Sequence, residues 1–173
     1  MSTTFLSYET TKYYEEMWIA HQLNELSKGK YWFLNKPLFG KRRSDWWSIT
    51  FSDEWENIFF HFELRWNSKF SLTEAPNLNI RVHLESKFIN EKTGKESREY
   101  FEEHGCIFGG KSAPNTIKEV NGAKLDASVI PDFSNEEKAK DTILKIIEVL
   151  NSPAYQQCAD IADAYLQQMK NDK

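Results

Sequence analysis

The feature that most constrains this chain is an alternation of apolar and polar residues that occurs twice. Ile58, Phe60, Phe62, Leu64 and Trp66 take every second position of one segment, and Leu78, Ile80, Val82 and Leu84 do so in another. Successive side chains of an extended strand point to opposite faces, so a period of two over this length predicts strands over 57–66 and 78–88. Each would have one apolar and one polar face. Together they predict an antiparallel sheet with one face on a core and the other open or covered by something polar.

Weaker signals extend the sheet. Trp46 to Phe51 sets Trp47, Ile49 and Phe51 on one side, and Tyr31 to Leu34 is a short apolar run, either a strand or a tether. Thr116–Val120 and Ala123–Ile130 flank Asn121-Gly122, a pair suited to the two positive φ angles of a type I′ hairpin turn. A short helix over Ser112–Val120 is the alternative there.

Elsewhere the period is helical. Tyr13, Met17, Ala20 and Leu23 predict one face of a helix over 8–27 that stops at Gly29. Asn90 to Lys95 reads as a turn and Glu96 to His104 as a short helix. Ser134-x-x-Glu137 is a capping box, and Ala139, Ile143, Ile146, Ile147 and Leu150 form the stripe that follows it. Ser152 and Pro153 start a last helix, with Tyr155, Cys158, Ala162, Tyr165 and Met169 on one face. The expectation is a single α+β domain over 1–173. It would have an antiparallel sheet of about 4–5 strands, with the N-terminal helix and a C-terminal αα-hairpin packed on one face.

Several function classes are disfavoured. No run approaches the ~18 apolar residues of a membrane span. The N-terminus has neither a basic start nor an apolar stretch, so a cytoplasmic protein is expected. Cys106 and Cys158 lack metal-site spacing and are expected to be reduced thiols. A net charge of −4 argues against broad nucleic-acid binding, which runs on clustered Lys and Arg.

Four constellations could carry chemistry. Gly105 to Ser112 fits G-x-x-x-x-G-K-[ST], which would use Gly110, Lys111 and Ser112 to bind phosphate. A charged helical segment precedes it, however, where a P-loop follows a buried parallel strand, so nucleotide binding is disfavoured. The second lies on the polar faces of the two long strands. Pairing Trp66 with Leu78 sets Glu63 beside Arg81 and His61 beside His83, close enough to touch. Glu85 and Lys87 share that face, and with Glu63 they could hold Mg²⁺ for phosphodiester cleavage. The plainer reading is a solvated ladder of opposite charges. The third is His61 with His83, a candidate metal pair or pH switch, with zinc disfavoured because no Cys or Asp sits at supporting spacing. The fourth is Trp46 and Trp47 beside Arg42 and Arg43, a candidate hot spot for a protein partner or a base-stacking platform.

The segment from Phe59 to Gly105 reads Phe-His-Phe-Glu-Leu-Arg-Trp, then Asn-Ile-Arg-Val-His-Leu-Glu, then a charged turn and Arg-Glu-Tyr-Phe-Glu-Glu. It resembles an uncharacterised bacterial domain family associated with restriction and other defence proteins and similar to PD-(D/E)xK nucleases. The resemblance implies Glu63, Glu85 and Lys87 as site residues.

The function expected from these readings is that of a small acidic, non-enzymatic binding protein of inhibitor, immunity or adaptor type. It would act on a protein partner, in bacterial or phage defence, without a cofactor. The alternatives are a Mg²⁺-dependent nuclease-like domain and a small-ligand carrier with an aromatic-lined cavity.

Overall fold

Both period-two segments form strands. In the computed structural model, which describes residues 12–34, 46–67, 69–85 and 91–173, eight strands make an antiparallel sheet. They are β1 (Trp32–Phe33), β2 (Trp46–Thr50), β3 (Phe60–Arg65), β4 (Leu78–Leu84), β5 (Cys106–Phe108), β6 (Thr116–Val120), β7 (Ala123–Lys124) and β8 (Ser128–Val129). The order is β1-β2-β3-β4-β6-β5, with β7 on β6 and β8 on β4. The described residues also form four α-helices in this α+β fold: α1 (Lys12–Leu26), α2 (Glu91–Glu103), α3 (Glu136–Leu150) and α4 (Pro153–Asn171). Among these residues no helix is long and apolar enough to cross a membrane. Expectations placed on Tyr8 to Thr11, Asn35 to Pro37, Arg42, Arg43 and Ser86 to Asn90 lie outside the described residues.

Several details differ from the sequence expectation. The sheet has eight strands, not four or five, because β1, β7 and β8 have two residues each and β5 has three. Pieces so short carry no readable period. Residues Asp53–Ile58 form a 3₁₀ helix, so β3 starts only at Phe60, after Phe59 has turned through the left-handed region at φ 51°. Helix α2 begins at Glu91 and runs through Gly94, whose carbonyl accepts a hydrogen bond from the Ser97 hydroxyl at 2.9 Å. Leu23 of the expected face of α1 is buried, whereas Met17 is exposed and Ile19 turns inward instead. The cap of α3 is Asn135, whose Oδ1 accepts the Lys138 N–H at 2.9 Å, while the Ser134 hydroxyl donates to Asp132. The Asn121-Gly122 turn is as expected: φ is 46° and 84°, and Val120 pairs with Ala123.

The chain divides into two compact units, with β3 and β4 contributing residues to both. The first comprises Met1–Phe51, Glu63–Ile80 and Ser128–Val149. Its core joins Ile19 and Leu23 to Phe33, Trp47, Ile49 and Trp66, with the α3 stripe of Ala139, Ile143 and Ile146 also buried. Trp47 meets Phe33 and Trp66 edge-on, at centroid distances of 5.0 and 5.6 Å.

The second unit comprises Ser52–Phe62, Arg81–Ala127 and Leu150–Lys173. Phe60, Phe62, Val82, Leu84 and Ile117 are fully or almost fully buried on one side of its strands. Phe101 of α2 packs on Phe60 at 5.5 Å, and Tyr155 of α4 on Phe62 at 6.0 Å. Burial pushes the Tyr155 phenol up to about 12, opposed by the hydrogen bond from the Ala127 N–H and helped by the nearby Asp126 carboxylate. An unfolded tyrosine ionises near 10. The folded state therefore holds this proton longer, and its stability is intact below pH ~10 and falls as pH rises toward ~12, by about 2–3 kcal/mol in all. Urea unfolding at pH 9 and pH 11.5 should show that fall in the native chain and a clearly shallower one in Tyr155→Phe.

Candidate functional site

Register builds the site. Within the second unit the Glu85 N–H donates to the Phe59 carbonyl at 3.0 Å, which aligns β3 with β4 so that His61 lies opposite His83. Their rings are 5.5 Å apart between centroids. On the other side of β4, His83 pairs with Thr116 of β6. The Thr116 hydroxyl lies 3.1 Å from His83 Nε2, while His83 Nδ1 lies 3.8 Å from Glu85 Oε1. Three adjacent strands thus contribute one polar row, His61–His83–Thr116, and Glu85 joins it just past the end of β4, two residues on from His83.

The two faces of this sheet region do not divide into apolar and wet. His61, His83 and Thr116 are 8%, 6% and 3% exposed, and Glu63 in the first unit is 3% exposed. The expected solvated ladder is therefore not what forms, because His61 and Glu63 of β3 are buried beside its apolar residues, and only Arg65 at the strand end is partly exposed. Only Glu85, with 29% of its side chain accessible, carries the cluster toward solvent. One ligating atom from each of His61, His83 and Glu85 can be chosen so that all three lie within 4.8 Å of one another. No other group of His, Cys, Asp and Glu converges in this way among the described residues.

The backbone next to this row is strained. Phe59 opposes Glu85 in the register, has left-handed φ and ψ of 51° and 39°, and is 40% exposed. A bulky residue in that region costs roughly 1–2 kcal/mol. That conformation ends the 3₁₀ helix and points the next residues into β3, which brings His61 level with His83.

The remaining expected site residues are dispersed. Glu63 is 3.6 Å from Arg65 in the first unit, and the groups gathered around Glu85 are imidazoles, not a second carboxylate. Lys87, the third member of the nuclease set, lies outside the described residues. So do Arg42 and Arg43 of the partner surface; of its tryptophans, Trp46 is half-buried and Trp47 is core, packed between Phe33 and Trp66. Gly110, Lys111 and Ser112 form a three-residue 3₁₀ turn between antiparallel β5 and β6, with no helix opening behind it to face a phosphate. The preceding glycine serves the tight connection: a Cβ on Gly109 would lie 2.7 Å from the Ala113 carbonyl oxygen.

Sequence reasoning paired His61 with His83 but placed Glu85 in a different set and missed Thr116. A threonine opening a strand carries no distinguishing signal. Cys106 and Cys158, assigned to separate elements, meet in the core as free thiols. Hydrogen bonding with Cys106, then burial, pushes the Cys158 thiol well up. No family model, curated protein or solved structure matches the chain.

Proposed function

We propose that this protein binds a divalent transition-metal ion, zinc by its ligand chemistry, through His61, His83 and Glu85. The observation that carries the reading is the convergence of three ligating atoms within 4.8 Å, with both imidazoles buried. Two histidines and one carboxylate are a known zinc-ligand set. Magnesium, the ion expected for nuclease chemistry, prefers oxygen donors and keeps several waters, which two buried imidazoles do not suit.

The surroundings support this choice. With Nδ1 of His83 on the metal side, Nε2 carries the proton and donates to the Thr116 hydroxyl. A hydrogen bond of that kind fixes the orientation of a ligating imidazole. Ligands about 2.0–2.2 Å from a common ion stand no more than about 4.4 Å apart. His83 Nδ1 and Glu85 Oε1 already stand closer than that, at 3.8 Å, so loading chiefly closes the distance to His61, by a few tenths of an ångström.

Equilibrium dialysis tests the proposal. The full chain should retain one zinc ion, undisturbed by millimolar magnesium, and Glu85→Ala and His83→Ala should each weaken retention by tenfold or more. Zinc retained equally by the native chain and by a folded Glu85→Ala variant would refute the assignment.

A further inference from the structure

Resting on the metal reading above, we infer that the centre is open. One coordination position faces solvent at the Glu85 end, holds water, and accepts a small anionic oxygen or nitrogen donor in its place.

The argument begins with a count. A closed structural zinc site takes four protein ligands, drawn mainly from Cys and His. The chain has four histidines and two cysteines, and all six are among the described residues. His21 is exposed on α1, in the first unit. His104 stacks on Tyr100 at 4.0 Å, with its Nδ1 2.7 Å from the Tyr100 carbonyl oxygen. Cys106 and Cys158 contact each other. No further imidazole or thiolate is left for the cluster, and no fourth Asp or Glu joins it among the described residues.

Burial gives the direction. The two imidazoles close the inner side of the cluster, whereas the Glu85 side chain is 29% accessible and the opposing Phe59 is 40% exposed. Glu85 is the accessible member of the cluster, so the open position of a loaded centre would lie on its side. Water held by zinc in a three-ligand site ionises near pH ~7. An oxyanion, a carboxylate or a small anionic nitrogen donor is the class of group that competes for such a position.

The test uses the full chain loaded with Co²⁺, whose visible bands report coordination. Azide and acetohydroxamate are titrated separately. The expected result is a saturable shift and change in intensity of those bands, with one anion bound per metal. If the cobalt spectrum forms, depends on His61 and His83, and does not move with either anion, the centre is closed and this inference fails while the metal site stands. If hydroxamate only strips the metal, with cobalt recovered in the dialysate and azide without effect, the inference also fails. If no protein-dependent cobalt spectrum forms, the metal reading fails and this inference falls with it. Since His83→Ala can disturb folding, dependence on the cluster is read in Glu85→Ala as well, with circular dichroism reporting the fold.

Discussion

Zinc at a thousandfold excess over its dissociation constant should raise the unfolding free energy of this protein by about 4 kcal/mol. The ligands converge only in the folded chain. His61 and His83 come from different strands, and the register that sets them 5.5 Å apart depends on the 3₁₀ helix and the left-handed turn at Phe59. An unfolded chain has no such cluster, so binding selects the native state. For a chain of 173 residues, each kcal/mol moves the melting temperature by about 2–4 °C, which makes the expected shift roughly 8–16 °C. At the same zinc concentration a tenfold loss of affinity in His83→Ala or Glu85→Ala leaves about 2.7 kcal/mol of that gain, and a larger loss leaves correspondingly less. A thermal scan or urea titration reads both quantities. Equal stabilisation of native and Glu85→Ala chains would assign the effect to some other part of the molecule.

Trp55→Ala should cost about 3–5 kcal/mol without any metal present. Trp55 is wholly buried in the second unit, with its ring 4.6 Å from Phe60 and 5.4 Å from Phe62, both edge-on. Its indole N–H donates to Asp163 Oδ1 of α4 at 2.8 Å. Alanine leaves a cavity behind the apolar face of β3 and removes the hydrogen bond that ties the 3₁₀ segment to α4. Trp55→Phe keeps much of the packing and loses the donor, so its cost should be nearer 1–2 kcal/mol. Urea unfolding of the three chains measures the difference. A loss below about 1 kcal/mol in Trp55→Ala would show that the packing around Phe60 and Phe62 matters far less than its geometry implies.

The long strands were legible because their period persists. Phe60, Phe62 and Leu64 alternate with His61 and Glu63, and even the pairing of His61 with His83 followed from alignment alone. The Asn121-Gly122 turn was legible for another reason: few residue pairs tolerate two consecutive positive φ angles. What alternation does not reveal is whether the polar face is wet. A histidine on a solvated face and one in a buried polar row stand at the same positions of the same pattern, so His61, Glu63 and His83 read as a surface ladder. Helix α2 was shortened at its start because Gly94 reads as a turn residue, whereas in the fold it is buried and backed by Ser97. Leu23 of the helical period does face inward, but Met17 does not, and Ile19, outside that period, is buried with Leu23. The cluster itself joins residues that the sequence assigned to two different chemistries.

The most direct measurement is X-ray absorption at the zinc edge of the loaded chain. Two imidazole nitrogens and two oxygens, all about 2.0–2.2 Å from the metal and with no sulfur among them, is the expected coordination. A sulfur neighbour near 2.3 Å, or a shell of oxygens without imidazole, would contradict the assignment to His61, His83 and Glu85.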